Sequence, residues 1–313
     1  MRSDGMDQAE GLRRLLVLNQ TQVITVVAGK AGVGRTSATI NLAAALAYSG
    51  KDVLVLDENH APNNLLDHLE LYAKHDLLDV AQGKCAPGEA VLATRGFAVL
   101  HTARAMQEFS KLDRIERQRM EDALAEVSSG VDVMLVDAAM PVLSKRPASS
   151  KVKGLAGQAA VSSSMASAAA LLVVADATAS GITESYALIK RLALEDARLH
   201  FEIVINKVAG EQAAMTVFGN MARVARHNLA ARLEYLGYIP SDDRLRRATQ
   251  MGKPVVEAFP TAVSAKFYIE LAQKLLRLPM RQDEVEGGIS HFMQNLTKQL
   301  ARQHSREMMQ VVN

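Results

Sequence analysis

The chain has 313 residues, with 36 Lys+Arg against 34 Asp+Glu for a formal net charge of +2, and 49% of its residues are hydrophobic. That composition is globular, neither disordered nor fibrous, and so near a charge balance confines any contact with nucleic acid or acidic lipid to a local patch. A single cysteine, Cys85, excludes a disulfide framework and a four-cysteine zinc site.

Residues 1–20 are polar at the start (Met1 to Asp7) and lack the apolar stretch of a signal peptide. Short, β-branched apolar runs then recur: Val23–Val27, Val53–Leu56, a weaker Phe97–Leu100, Val131–Val136, Leu171–Val174, Phe201–Ile205 and, last, Arg232–Ile239. They are mostly continuous rather than alternating, as strands buried on both faces are. Between them lie helical stretches, among them Ser37–Tyr48, Arg114–Val127, Thr183–Leu194 and Val217–Leu229. Strand followed by helix, repeated, predicts an α/β fold: a twisted, mostly parallel sheet with helices on both faces. Ligands in such sheets bind at the carboxyl ends of the strands.

Residues 141–167 are rich in Ser, Ala and Lys and read as a long mobile loop or a loosely packed helix. The longest apolar run, Ala168–Ala175, has 8 residues, against the roughly 20 that span a bilayer. A cytoplasmic protein, at most peripheral to a membrane, is expected. Three parts follow: residues 1–20, a strand-and-helix domain over 21–279, and a linker with a terminal helix over 280–313.

The strongest local signal is Gly29-Lys30-Ala31-Gly32-Val33-Gly34-Arg35-Thr36-Ser37, after a strand and opening a helix. Glycines let the chain wrap with its N–H groups inward, and the helix start adds partial positive charge, so the loop is a cradle for polyphosphate. In the standard loop a lysine neutralises the β- and γ-phosphates and the next hydroxyl binds Mg2+. Here Thr36 supplies the hydroxyl and Arg35 takes the lysine position, which keeps the charge but changes its reach and geometry.

With the early Lys30, the loop resembles that of the deviant P-loop ATPases of the MinD/ParA class, Lys-Gly-Gly-x-Gly-Lys-Thr-Thr. Lys30, Gly32, Gly34, Thr36 and Ser37 match, the last as Ser for Thr, while Ala31 and Arg35 depart. The resemblance implies ATP and Mg2+ as cofactors and a nucleotide-sandwich homodimer in which Lys30 reaches the partner's nucleotide. It makes Asp57 the first aspartate of the family's Asp-x-Asp. Asn59 then stands where the second aspartate positions the attacking water, and an amide cannot accept that water's proton. Asp137 closes a Walker-B-like strand that supports the metal, and Asn206 matches the adenine-reading asparagine. Ala138-Ala139-Met140 follows Asp137 where the family usually carries a glycine whose N–H meets the γ-phosphate. Hydrolysis of ATP is therefore left open.

Asp7-Gln8-Ala9-Glu10-Gly11-Leu12-Arg13 is similar to the N-terminal Asp-Gln-Ala-x-x-Leu-Arg signature of the FlhG (FleN) family of flagellar-number regulators. The segments Ile182–Lys190, Leu233–Gly237 and Lys253–Pro260 also resemble that family. The resemblance implies a switch for flagellar number and placement that stimulates the GTPase FlhF through Asp7, Gln8, Leu12 and Arg13, with Gln8 orienting a water beside the γ-phosphate. It also implies contacts with flagellar switch (C-ring) proteins. Packing of the N-terminal leucines on the chain's own core is the alternative.

Ile289, Phe292, Met293, Leu296 and Leu300 form one apolar stripe at helical spacing, opposite Asn295, Lys298, Gln299 and Arg302. The FlhG and MinD resemblance implies reversible membrane targeting for it; packing on the domain or on a partner is the other reading, and the two can alternate. Rival functions on the same fold are a non-hydrolysing scaffold or anti-activator bound to a flagellar transcription activator, and a DNA-partitioning ParA ATPase. The second needs a basic surface. Lys145, Arg146, Lys151 and Lys153 are the notable basic cluster and read as a solvated loop, so no specific nucleic-acid partner is expected. An iron–sulfur carrier would need more ligands than Cys85.

Overall fold

In a computed structural model, residues 21–60, 62, 64–140, 142–143, 159–160, 163–168, 170–195, 199–278, 292 and 294–299 are described. In chain order the elements are β1 (Gln22–Val27), α1 (Arg35–Tyr48), β2 (Val53–Asp57), α2 (Leu65–His68), α3 (Leu77–Ala81), α4 (Pro87–Ala90), β3 (Val91–Ala93), β4 (Ala98–His101), α5 (Ala103–Glu108) and α6 (Arg114–Val127). Then come β5 (Val133–Asp137), β6 (Val142–Leu143), β7 (Ala159–Ala160), α7 (Ser163–Ser167), β8 (Ala170–Asp176), α8 (Ala179–Glu195), β9 (His200–Val208), α9 (Glu211–Leu229) and β10 (Arg232–Pro240). Three helices end the domain: α10 (Asp243–Gln250), α11 (Val255–Ala258) and α12 (Val263–Leu275).

Eight strands form one sheet in the order β10-β9-β8-β1-β5-β2-β4-β3. All neighbouring pairs are parallel except β3–β4, as the strand-then-helix pattern predicts. The central strands β2 and β5 are buried along their whole length, which is why their sequences are unbroken apolar runs. Register brings β1, β5 and β2 to the same level: Val26 lies beside Asp137, and Asp137 beside Asp57. The two aspartates and the loop after β1 therefore open at one edge of the sheet.

Alternate strand residues serve opposite faces. On one face Ile24, Val26, Val133 and Leu135 pack with Ala38, Leu42 and Ala45 of α1 and with Tyr268, Leu271 and Leu275 of α12. On the other, Leu54, Leu56, Met134 and Val136 meet α3 and α6, while Leu171, Val173, Ile203 and Ile205 meet α8 and α9. The predicted bounds of Arg114–Val127 are those of α6, whose Asp113–Glu116 capping box fixes its start.

Two expectations need correction. Residues 141–167 are not wholly loop or loose helix: β6 and β7 pair antiparallel and α7 follows, carrying buried Ser164, Met165 and Ser167. The three-residue edge strand β3, Val91-Leu92-Ala93, is too short an apolar run to announce itself and was not expected.

Of the terminal stripe, Phe292 and Leu296 are 2% and 1% exposed and join the core cluster that holds Met120 and Leu124 of α6. Thr297 Oγ1 donates to Glu121 Oε1 at 2.9 Å across the same contact. This is the domain-packed arrangement; Ile289, Met293 and Leu300 lie outside the described residues, as do Asp7, Gln8, Leu12 and Arg13. Among the described residues no helix is long and apolar enough to cross a membrane. Phe292→Ala and Leu296→Ala are each expected to lower stability by about 3 kcal/mol in urea denaturation, the range for large-to-small core changes. Losses below about 1 kcal/mol would contradict the packing of these side chains.

Candidate nucleotide-binding site

The loop from Gly29 to Ser37 joins β1 to α1 and rims a cleft of about 650 Å3, lined by Lys30, Ala31, Gly32, Gly34, Arg35, Thr36 and Ser37 and, across it, by Glu58, Asn59, His60, His68 and Ala139. Gly32 (φ +79) and Gly34 (φ +94) take the left-handed backbone that turns the loop inward. Gly34 is also required by space: a Cβ there would collide with the Asn206 amide. It is the N-cap of α1, with no side-chain cap and no acid in the first turn. The first N–H groups of a 14-residue helix therefore face the cleft without a capping side chain, which is what an anion seat needs.

Behind the loop stands Asp137, fully buried. Its Oδ1 accepts from Arg35 Nε at 2.8 Å and Thr39 Oγ1 at 3.0 Å, and its Oδ2 from Thr36 Oγ1 at 2.8 Å, Asn59 Nδ2 at 2.8 Å and Arg35 Nη2 at 3.3 Å. Burial pushes its carboxyl above the ordinary range, with the Arg35 charge opposing that shift. Arg35 Nη2 also donates to Asn59 Oδ1 at 2.6 Å. Its Nη1 is buried with no hydrogen-bond partner among the described residues. A buried guanidinium donor with no partner, on a side chain that lines a cleft rimmed by loop amides, is chemically suited to an oxyanion.

Asn59, expected to stand by an attacking water, is held inside the cluster instead. Besides the bonds above, its Nδ2 donates to Asp57 Oδ1 at 3.1 Å and to the Asp137 carbonyl at 2.9 Å. Asp57 is fully buried, accepts from Leu65 N–H at 3.1 Å and lies 3.4 Å from His101 Nδ1. Thr36, Asp57 and Asp137 come together as expected, and their hydroxyl and carboxylate oxygens are the hard donors that fit Mg2+. Among the described residues no cluster of three or more His, Cys, Asp or Glu is placed to hold a metal ion.

Other expected positions take different roles. Gly29 does not line the cleft; a Cβ there would strike the backbone of α8 at Glu184. Val33 is 1% exposed and belongs to the core, so its side chain faces away from any ligand. Asn206 is spent on the loop: Nδ2 donates to the Val33 carbonyl at 2.8 Å and Oδ1 accepts from Lys207 N–H at 2.8 Å. Lys207 Nζ ties down the Gly32 carbonyl at 2.5 Å. Lys30 Nζ donates to Ser180 Oγ of its own chain at 2.6 Å.

Sequence reasoning passed over Thr39, His101, Ser164 and Glu58. Thr39 lies one helical turn beyond Arg35, a spacing that could have placed it. Glu58 is 5% exposed and lines the cleft, and burial raises its carboxyl pKa from 4.5 to about 7, opposed by its bonds to Ser164 and Ala139.

The folded chain thus holds the Glu58 proton more tightly than the unfolded one. Its contribution to stability is full below about pH 4.5 and is lost as pH rises through about 7. Glu58→Gln, which cannot ionise, is expected to match wild type near pH 5 and to exceed it at pH 8 by on the order of 2 kcal/mol. Urea denaturation in nucleotide- and metal-free buffer at both values checks this; a gap that does not grow with pH would contradict it.

Residues 24–255 match the family model described as the CobQ/CobB/MinD/ParA nucleotide binding domain. The chain is 30% identical to the antiactivator FleN of Pseudomonas aeruginosa, over 92% of this chain and 97% of that protein. It is 24% identical to the septum site-determining protein MinD of Synechocystis, over 81% of this chain and 89% of that one. Among solved structures, the cell division ATPase MinD of Pyrococcus furiosus superposes with a TM-score of 0.59 at 23% identity, covering 82% of this chain and 99% of that one. MinD of Pyrococcus horikoshii complexed with Mg-ADP gives 0.58 at 22%, covering 82% and 97%. A match over most of the domain, a relative aligned nearly end to end and the phosphate-type loop on a parallel sheet agree: the chain belongs to the CobQ/CobB/MinD/ParA nucleotide-binding family, on the branch that holds FleN.

Proposed function

We propose that this chain is an ATP-dependent dimerisation switch that regulates flagellar number and placement. The observation that carries the nucleotide part is the unpaired, buried Arg35 Nη1 at a cleft ringed by the amides of a glycine loop and a helix start. The flagellar part rests on likeness to FleN and on the N-terminal signature.

In this reading the loop amides and the α1 N-terminus bind the phosphates, and Arg35 supplies the charge a lysine carries elsewhere in the family. Thr36 and Asp137, with Asp57 behind them, would hold Mg2+, whose charge offsets that of the phosphates. The two polar groups of Asn206 are committed to the loop, so its service to adenine is to shape the rim. Lys30 would exchange Ser180 for the nucleotide of a second copy. Dimerisation would free the terminal helix for an acidic lipid surface and open surfaces to FlhF and C-ring proteins. Asp7, Gln8, Leu12 and Arg13 would act on the GTPase.

A second reading is favoured by one specific contact set. Asn59 is locked between Asp57, Asp137 and Arg35 and offers no carboxylate to a water. Loss of that base costs roughly 100-fold or more in an acid–base step. The switch would then hold ATP far longer than it turns it over and act as a scaffold or antiactivator, reset by exchange.

Calorimetry with Mg-ADP and with a non-hydrolysable ATP analogue tests the binding core. Wild type is expected to bind both, and Arg35→Ala to lose at least tenfold in affinity, the scale of one charge-assisted contact of about 1.5–3 kcal/mol. Sizing should show a dimer with the analogue and a monomer with ADP, and Lys30→Ala should abolish that difference. Equal binding by wild type and Arg35→Ala would contradict the site assignment. For the partner part, GTP turnover by FlhF should rise with wild type and fall back toward its basal rate with Gln8→Ala; equal stimulation would remove Gln8 from the account.

A further inference from the structure

Glu58 has no part in the roles above, yet it sits at the centre of the cleft wall. Its Oε2 accepts from Ser164 Oγ at 2.6 Å and from Ala139 N–H at 3.2 Å, while its own N–H donates to the Asp137 carbonyl at 3.2 Å. One side chain therefore joins three segments: the end of β2, the stretch that leaves β5, and α7. It shares the cleft with Arg35, Thr36 and Ser37, and with His60 and His68; Asp57 and Asp137 are the neighbouring acids.

A carboxylate that accepts from a backbone N–H and a hydroxyl uses the same donors that a terminal phosphate oxygen uses. Two anions cannot share those donors, and in a desolvated cleft their repulsion is strong. In the nucleotide reading, a diphosphate seated on the loop amides and Arg35 would leave Glu58 in place, and a third phosphate in the same cleft would compete with it.

We propose that Glu58 is a specificity-determining residue that makes the cleft sensitive to the number of phosphates: its carboxylate occupies the Ala139–Ser164 donors as a built-in competitor of the terminal phosphate. Entry of that phosphate breaks the Glu58–Ser164 bond that links the end of β2 to α7, and the cleft thereby discriminates triphosphate from diphosphate. This rests on the nucleotide reading of the cleft.

The test is calorimetric titration of the full chain at pH 8, in magnesium, with ADP and with a non-hydrolysable ATP analogue, for wild type, Glu58→Gln and Ser164→Ala. Glu58→Gln keeps an acceptor oxygen for both donors but removes the charge. It is expected to bind the ATP analogue about tenfold more tightly than wild type while ADP affinity changes less than twofold. Ser164→Ala, which leaves the charge and removes one anchor, is expected to shift the ratio the same way by about threefold. If both nucleotides shift together, or the ratio is unchanged in both variants while wild type binds ADP, the competitor role is wrong and the nucleotide reading stands. If wild type binds neither nucleotide, both fall.

Discussion

The arrangement depends on one buried carboxylate. Asp137 has no exposure to solvent and takes five hydrogen bonds from Arg35, Thr36, Thr39 and Asn59. A charge placed so deep is tolerated only if it is paired and its lone pairs are filled. The donors come from three places: Arg35 and Thr36 at the start of α1, Thr39 in its second turn, and Asn59 just beyond β2. Satisfying Asp137 therefore also sets the orientation of the loop from Gly29 to Ser37, the position of the Thr36 hydroxyl and the course of the chain beyond β2. Removal of a single donor would leave part of that charge uncompensated, so the site and the local fold stand or fall together.

The same constraint makes sense of two departures from the family pattern. Arginine at 35 and asparagine at 59 touch, with the guanidinium donating to the amide oxygen and the amide nitrogen donating to both aspartates. A carboxylate at 59 would put three acids side by side and remove the donor that links Asp57 to Asp137. With the amide, two acids and one guanidinium close into a satisfied network. A longer, forked cation at 35 can hold Asp137 through Nε and Nη2 and still keep Nη1 for another anion, which a single ammonium centre does less well. In the proposed reading, that network suits gripping a phosphate better than activating a water.

Much of this was legible in order along the chain. The unbroken runs at Val53–Leu56 and in β5 announce strands covered on both faces, and the loop between β1 and α1 announces its ligand class through its glycines. Elements too short to show a period were not: β3 has three residues, the last of them exposed, and β6 and β7 have two each. The terminal stripe showed that an apolar face exists, but periodicity does not say what covers it; burial of Phe292 and Leu296 beside α6 is a long-range outcome. Glu58 is the clearest case. Next to Asp57 at a strand end it looks like a solvated acid, and only Ser164, distant in sequence, turns it into a buried one. Asn206 shows the converse: a polar residue at a strand end bonds the chain's own loop, a contact the sequence pattern did not announce.

A crystal structure of the chain with Mg-ADP would test the central claim most directly, because it would show what satisfies Arg35. The account predicts a phosphate oxygen within hydrogen-bond distance of Nη1, with Nε still on Asp137 and the loop amides around the same phosphate. Nucleotide bound elsewhere, or bound in the cleft with Nη1 still unpartnered, would contradict it.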